Sequence, residues 1–261
     1  MDASDMKSKQ MSTTDIARQF EILTRLPTPF DRSQCVMHKH EILICGGWKE
    51  INCYSYHILK NQYKYICSYP KNVQLFGHTV VKRVNNDSRN GITLLSFGGM
   101  YNHAVVMHYV SVWDDDDDDD DENDRVANNK TSTTNIWLPL IDNHNKPIYI
   151  GTNEEDYKGV RAVIGGSKKA FVNIDIFDLD AFQYVNRSNL PIDSCLFYHC
   201  FVLTSNNEIE TAKKHIKQSQ SEMLLFYKNL GLSIVYDEDS NIFAFYKIWV
   251  CSTMRSLFRH G

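Results

Sequence analysis

The sequence predicts an all-β fold assembled from repeated four-stranded antiparallel units, and three observations predict it. An apolar run closing on a glycine pair occurs as Glu41-Ile-Leu-Ile-Cys-Gly46-Gly47 and returns as Ile92-Thr-Leu-Leu-Ser-Phe-Gly98-Gly99. A phrase that recurs at a spacing of ~40 to 50 residues marks a repeat architecture. Period-2 alternation and short β-branched or aromatic runs dominate, as in Cys53-Tyr-Ser-Tyr56 and Gln62-Tyr63-Lys-Tyr65, bounded by Asn, Asp, Gly and Pro. Apolar runs meet proline at Leu26-Pro27, Tyr69-Pro70, Leu138-Pro139 and Leu190-Pro191, and a further unit ends near Ile248-Trp249-Val250. These points divide the chain into four units.

Each unit offers about four strands. Unit one predicts them at 34–38, 41–45, 53–58 and 63–69. Unit two predicts 78–84, 92–97, 105–113 and, past a long insertion, 136–138. Unit three predicts 160–164, 170–173, 174–179 and 182–185, and unit four predicts 198–203, 223–227, 232–236 and 243–249. An orphan strand at 20–26 precedes them. Helical signal is weak. Thr14 to Arg25 reads equally as helix and as the orphan strand, and Asn207 to Gln220 has helix-forming composition but little apolar face.

The ordered series resembles the kelch motif. That motif implies a β-propeller blade with a glycine pair closing the second strand, an aromatic ending the third, and a second aromatic about seven residues on in the fourth. Unit one supplies Gly46 and Gly47, then Tyr56 and Tyr63; unit two supplies Gly98 and Gly99, then Trp113 and Trp137. Unit four supplies Tyr236 and Phe243, and unit three supplies Phe177 and Phe182, two residues short. Glycine there permits positive φ and close approach of backbones, and the aromatics pack against the neighbouring blade. Unit four departs from the pattern with Asn229-Leu230-Gly231, and in unit three Gly165-Gly166 follows the first strand. The resemblance implies a kelch-type β-propeller with about four detectable blades. Such propellers close with five to seven, so the expectation is an incomplete or degenerate array.

On this reading residues 1–18 are a polar tail, 19–253 the propeller with an acidic loop at 114–135 and a polar loop at 205–221, and 254–261 a C-terminal tail. The formal charge of −4 hides a split: Asp114 to Asp121, Glu122 and Asp124 are acidic, and without them the balance is +6. Eight adjacent aspartates cannot form the spaced oxygen cage a calcium loop needs, so the run reads as a self-repelling loop. The N-terminus lacks the apolar region of a signal peptide, and no apolar stretch approaches the ~20 residues of a membrane helix. Seven cysteines without close pairs read as reduced thiols, and the expected location is cytoplasmic.

The candidates for chemistry are few. His38 and His40 could begin a metal site, but no further ligand stands at suitable spacing. His78 and His199 open equivalent strands, which predicts a repeated structural hydrogen bond. No nucleophile elbow, P-loop, dinucleotide fingerprint or HExxH occurs. The expectation is a non-catalytic module without cofactor or metal that binds a protein, and neither nucleic acid nor membrane. The alternatives are an oxidase-like enzyme on a propeller scaffold and a substrate adaptor of a ubiquitin ligase, as some kelch proteins are. The partner face is expected on the loops that follow the glycine pairs: Trp48, Lys49, Met100, Tyr101 and His103.

Overall fold

The computed structural model describes residues 22–83, 91–113, 134–151, 157–165, 169–172, 174–192, 196, 199–204 and 219–250. The expected tails at 1–18 and 254–261 and nearly all of the acidic and polar loops lie outside them. No helix occurs among the described residues, and so none is long and apolar enough to cross a membrane.

The chain forms four antiparallel sheets, each a meander of four consecutive strands. The first contains β1 (Gln34–His38), β2 (Glu41–Gly47), β3 (Glu50–His57) and β4 (Gln62–Ser68), and the second β5 (His78–Arg83), β6 (Gly91–Gly98), β7 (His103–Val110) and β8 (Leu138–Pro139). The third contains β9 (Ala162–Gly165), β10 (Lys169–Val172), β11 (Asp175–Asp178) and β12 (Gln183–Arg187), and the fourth β13 (Cys200–Leu203), β14 (Gln220–Tyr227), β15 (Leu230–Asp237) and β16 (Ile242–Ile248). The first strands of successive sheets lie side by side, β1 against β5, β5 against β9 and β9 against β13.

Three cores separate the four sheets, and strand periodicity explains them. Val36, Leu43, Cys45 and Cys53 of the first sheet pack with Val80, Leu94 and Met107 of the second. The next residues along the second sheet's strands, Val81 and Leu95, face the other way and pack with Phe177 and Ala162 of the third. Ile176 points opposite to Phe177 and joins Phe201, Met223, Leu225 and Ile234 of the fourth. A sheet buried on both faces has no polar face to alternate with, so β6 reads as the near-continuous apolar run Ile92-Thr-Leu-Leu-Ser-Phe97.

The aromatic pairs expected at the turn between third and fourth strands form in the first and fourth sheets, and the third sheet forms a different pair. Tyr56 and Tyr63 are register partners with ring centroids 4.8 Å apart, and Tyr236 and Phe243 are partners at 4.9 Å. In the third sheet the partner of Phe177 is Tyr184, at 5.2 Å, and not Phe182. Tyr184 restores the spacing of seven residues. Phe182 sits instead at the end of the connecting turn with φ of 53°, the place held by Asn61 (49°) and Asn241 (56°) in the first and fourth sheets. Those asparagines accept hydrogen bonds from the Tyr56 and Tyr236 hydroxyls, each at 2.8 Å. Asn tolerates the left-handed region far better than a bulky residue does. The third sheet has lost hydroxyl and acceptor together, since Phe177 has nothing to donate.

This substitution pair gives a test. Phe177→Tyr alone should cost about 1–3 kcal/mol, because it buries a hydroxyl without a partner. Adding Phe182→Asn supplies the acceptor and relieves the turn, so the double variant should recover at least ~1 kcal/mol relative to additivity. Urea titration of all four proteins reads the coupling; strictly additive losses would reject the shared-latch reading.

Other expectations need correction. Trp113 does not end the third strand of unit two, because β7 stops at Val110. Its indole Nε1 donates to Ser55 Oγ at 2.9 Å, and Ser55 in turn donates to Glu41 Oε2 at 2.6 Å, a carboxylate that also accepts from the Tyr109 hydroxyl. Trp113 therefore belongs to a buried polar junction of the first and second sheets. It is not the partner of Trp137, which stacks on Tyr69 at 4.5 Å. The predicted strand 136–138 is only β8, shifted to Leu138–Pro139. Residues 22–26 form no strand: Thr24 is tied to Asn61 through its amide (2.9 Å) and its hydroxyl (2.7 Å), and Pro27 and Pro29 interrupt the chain beyond.

Candidate partner-binding face

The glycine pairs fix the loops that the sequence singled out. Gly46 has φ of +56°, and a Cβ on Gly47 would lie 2.5 Å from the carbonyl oxygen of Asp31. The incoming chain therefore crosses directly over this pair, and Trp48 N donates to Asp31 O at 2.7 Å. Gly98 (+78°) and Gly99 (+83°) do the same in the second sheet, where Met100 N donates to Phe76 O at 3.1 Å. Trp48 and Met100 are thus equivalent, each following its glycine pair and anchored to the segment that enters the first strand of its own sheet. The turn Trp48-Lys49, with Lys49 at φ of 64°, then returns the chain to β3.

Four of the five expected surface residues meet around one cavity of about 450 Å³. Trp48, Lys49, Met100 and Tyr101 form its walls with Phe76, and Ile51, Val73 and Leu75 contribute apolar surface. Trp48, Met100 and Tyr101 are 41%, 57% and 55% exposed. The link between the first and second sheets thus closes the gap between their loops.

His103 departs from the expectation. It opens β7 and is buried, with its Nε2 3.0 Å from Ser96 Oγ. Its ring lies 6.0 Å from that of His78, which is fully buried and uses Nε2 on the carbonyl of Cys45 at 3.1 Å. Burial drives the His78 pKa down to about 3, aided by the charge His103 would carry, and burial lowers that of His103 to about 4. His199 is also buried and lowered to about 4, first by desolvation and then by the charge of Arg161. Neither of its ring nitrogens has a hydrogen-bond partner among the described residues, where the bond expected of both His78 and His199 is seen at His78. Of the pair considered for metal, His38 is buried beside Tyr109 and His40 is exposed beside His57. No group of three or more His, Cys, Asp or Glu among the described residues is arranged to hold a metal ion.

Of the charges around the cavity, the sequence points to Lys49 but not to Arg32 or Lys158. The Arg32 guanidinium lies 4.5 Å from the Phe76 ring centroid and 5.5 Å from that of Trp48. Lys49 Nζ lies 4.5 Å from Trp48, and Lys158 Nζ lies 4.5 Å from Phe76. Trp48 and Phe76 meet edge to face at 5.6 Å. Arg32 and Lys158 come from links whose course no local pattern announces.

No family model matches the sequence, and no curated protein matches it either. Among solved structures, one titled "Structure of YjhT" is similar over 89% of this chain and 68% of its own, at 11% identity and a TM-score of 0.49. A likeness at that level carries no argument about function.

Proposed function

We propose that the four sheets are blades of a kelch-type β-propeller and that the chain is a non-catalytic, cytoplasmic interaction module that binds a protein through the face bearing Trp48 and Tyr101. The observation that carries this is the convergence of Trp48, Lys49, Met100 and Tyr101, from two different sheets, around one open cavity. Large aromatics that are half exposed and backed by rigid strands have the character of binding hot spots. The four successive meanders with adjacent first strands support the propeller. Cys45, Cys53 and Cys67 are cross-strand neighbours and free thiols, which suits a reducing compartment. An enzyme would need convergent polar groups open to substrate, whereas His78, His103 and Ser96 converge in the buried interior.

A photo-crosslinking amino acid at position 101 should trap a defined protein from cell extract, and the same probe at Tyr246 should not. In the Trp48→Ala/Tyr101→Ala variant, capture should fall by roughly tenfold or more, as for loss of two hot-spot residues. Its melting temperature should stay within a few degrees, since both side chains are about half exposed and lie outside the three cores. Unchanged capture, or equal crosslinking at position 246, would remove the assignment.

A further inference from the structure

We infer that Cys45, Cys53 and Cys67 form a thiol–disulfide site, in which a peroxide converts Cys53 and one flanking cysteine into a disulfide. The three stand on adjacent strands. Cys45 of β2 is the register partner of Cys53 of β3, and Cys53 is the register partner of Cys67 of β4. All three are free thiols and all belong to the core between the first and second sheets. Register partners in antiparallel strands have Cα atoms about 4.5 or 5.5 Å apart, according to the type of pair. Both separations lie within the ~4.4–6.8 Å that a disulfide spans. Cys53 is therefore placed to bond with either neighbour without a change of register.

The side-chain contacts bear this out. The Cys53 thiol is in hydrogen-bond contact with both Cys45 and Cys67, and its sulfur accepts from Trp137 Nε1 at 3.4 Å. Cys67 Sγ in turn lies 3.6 Å from Met107 Sδ. Four sulfur atoms thus run side by side through one core. A buried cysteine can serve as a small apolar filler, but filling space does not require a second thiol against the first. Two thiols in contact can give up two electrons together.

Burial sets the conditions. Cys45 and Cys53 are fully buried, and Cys67 is 7% exposed. The hydrogen bond to Cys53 and burial raise the pKa of Cys67, and burial raises that of Cys53. The thiolate is the reactive form, so the site reacts slowly and favours a small uncharged oxidant such as hydrogen peroxide. Cys67 is the most accessible of the three. Its thiolate attacks one peroxide oxygen, the O–O bond breaks, and hydroxide leaves with a sulfenic acid formed on the sulfur. The Cys53 sulfur then attacks the Cys67 sulfur and displaces the hydroxyl, which departs as water with the proton of the Cys53 thiol. The first hydroxide takes up the proton that Cys67 had lost. Two thiols are oxidised by two electrons, and one peroxide is reduced to two waters. Cys45 can then attack Cys53 and release Cys67 by thiol–disulfide exchange. The resulting Cys45–Cys53 bond closes the base of the loop that carries Trp48 and Lys49.

The test treats the full chain with hydrogen peroxide under native conditions, then alkylates it and maps its peptides by mass spectrometry. Cys35→Ser and Cys200→Ser remove two exposed thiols beforehand. The oxidised protein should be lighter by two hydrogens, and its disulfide should join Cys53 to Cys67 or to Cys45. Dithiothreitol should restore the original mass. Cys45→Ala should confine the bond to Cys53–Cys67, and Cys67→Ala should confine it to Cys45–Cys53. Cys53→Ala should abolish it. Should that variant fail to fold, the map of the intact row decides alone. Oxidation confined to Cys195 or Cys251, a sulfinic acid at Cys67 without a disulfide, or no reaction at the row would overturn the inference. So would a disulfide between Cys45 and Cys67 in folded Cys53→Ala.

Discussion

Gly46→Ala is expected to destabilise the protein by about 3 kcal/mol or more, a drop of roughly 6–12 °C in melting temperature for a chain of this size. Two independent costs combine. The residue has φ of +56°, where a Cβ meets the following carbonyl oxygen. The added Cβ would also stand 2.3 Å from Leu75 Cδ1 and 3.1 Å from both Glu50 O and Tyr69 Cε2. Only the first of these is the end of a flexible side chain; the Glu50 carbonyl belongs to β3 and Tyr69 is packed in the core. Gly98→Ala should behave alike, since its φ is +78° and its Cβ would meet Val160 Cγ1 at 2.6 Å. A double-mutant cycle separates the causes. Leu75→Ala vacates the space the new methyl needs, so Gly46→Ala/Leu75→Ala should lose clearly less stability than the sum of the single changes. Strict additivity would mean that the backbone conformation alone requires glycine at position 46.

The glycine pairs illustrate what a sequence can carry. Positive φ and close approach admit so few residues that the requirement is written as Gly-Gly, and both pairs are found where the phrase put them. The same holds for Tyr56 with Tyr63 and Tyr236 with Phe243, because cross-strand register turns contact into a fixed spacing. Phe182 misled for a related reason: any aromatic near the turn satisfies a loose pattern, and only the spacing of seven residues singles out Tyr184. The end of β7 was invisible because Trp113 continues an apolar run beyond it, and its indole then bonds to Ser55 in the neighbouring sheet. His103 looked like a loop residue, yet it pairs with Gly98 as the first residue of β7, and its side chain turns inward to Ser96. In the candidate site, Trp48 and Tyr101 were legible as large aromatics after glycine. Arg32, Phe76 and Lys158 were not, because the segments that lead into each sheet acquire their course from the sheets they cross.

Acidification is expected to unfold this protein early, through buried imidazoles. His78, His103 and His199 are held neutral in the fold, with pKa values lowered to about 3, 4 and 4 from an ordinary 6.5. Burial is the leading cause in each case. The unfolded chain therefore binds protons between pH 6.5 and about 4 that the folded chain refuses. Stability from these groups is complete above pH 6.5 and is lost progressively as the pH falls through that window. Each imidazole contributes a slope of up to about 1.4 kcal/mol per pH unit, and His78 and His103 impede one another's protonation as well. Three such groups can consume most of a typical folding stability of about 5–15 kcal/mol by pH 4.5. Asp142 and Asp237, whose pKa values are lowered by hydrogen bonds, act only in more acid solution. The urea midpoint should therefore fall steeply from pH 6.5 to 5. In His103→Gln the amide can retain the bond to Ser96, so the slope should decrease by about one proton without a large loss at pH 7.5. A midpoint that stays level from pH 7 to 5, or an unaltered slope in that variant, would mean that these imidazoles reach water or a counter-charge in the folded protein and are not held neutral by burial.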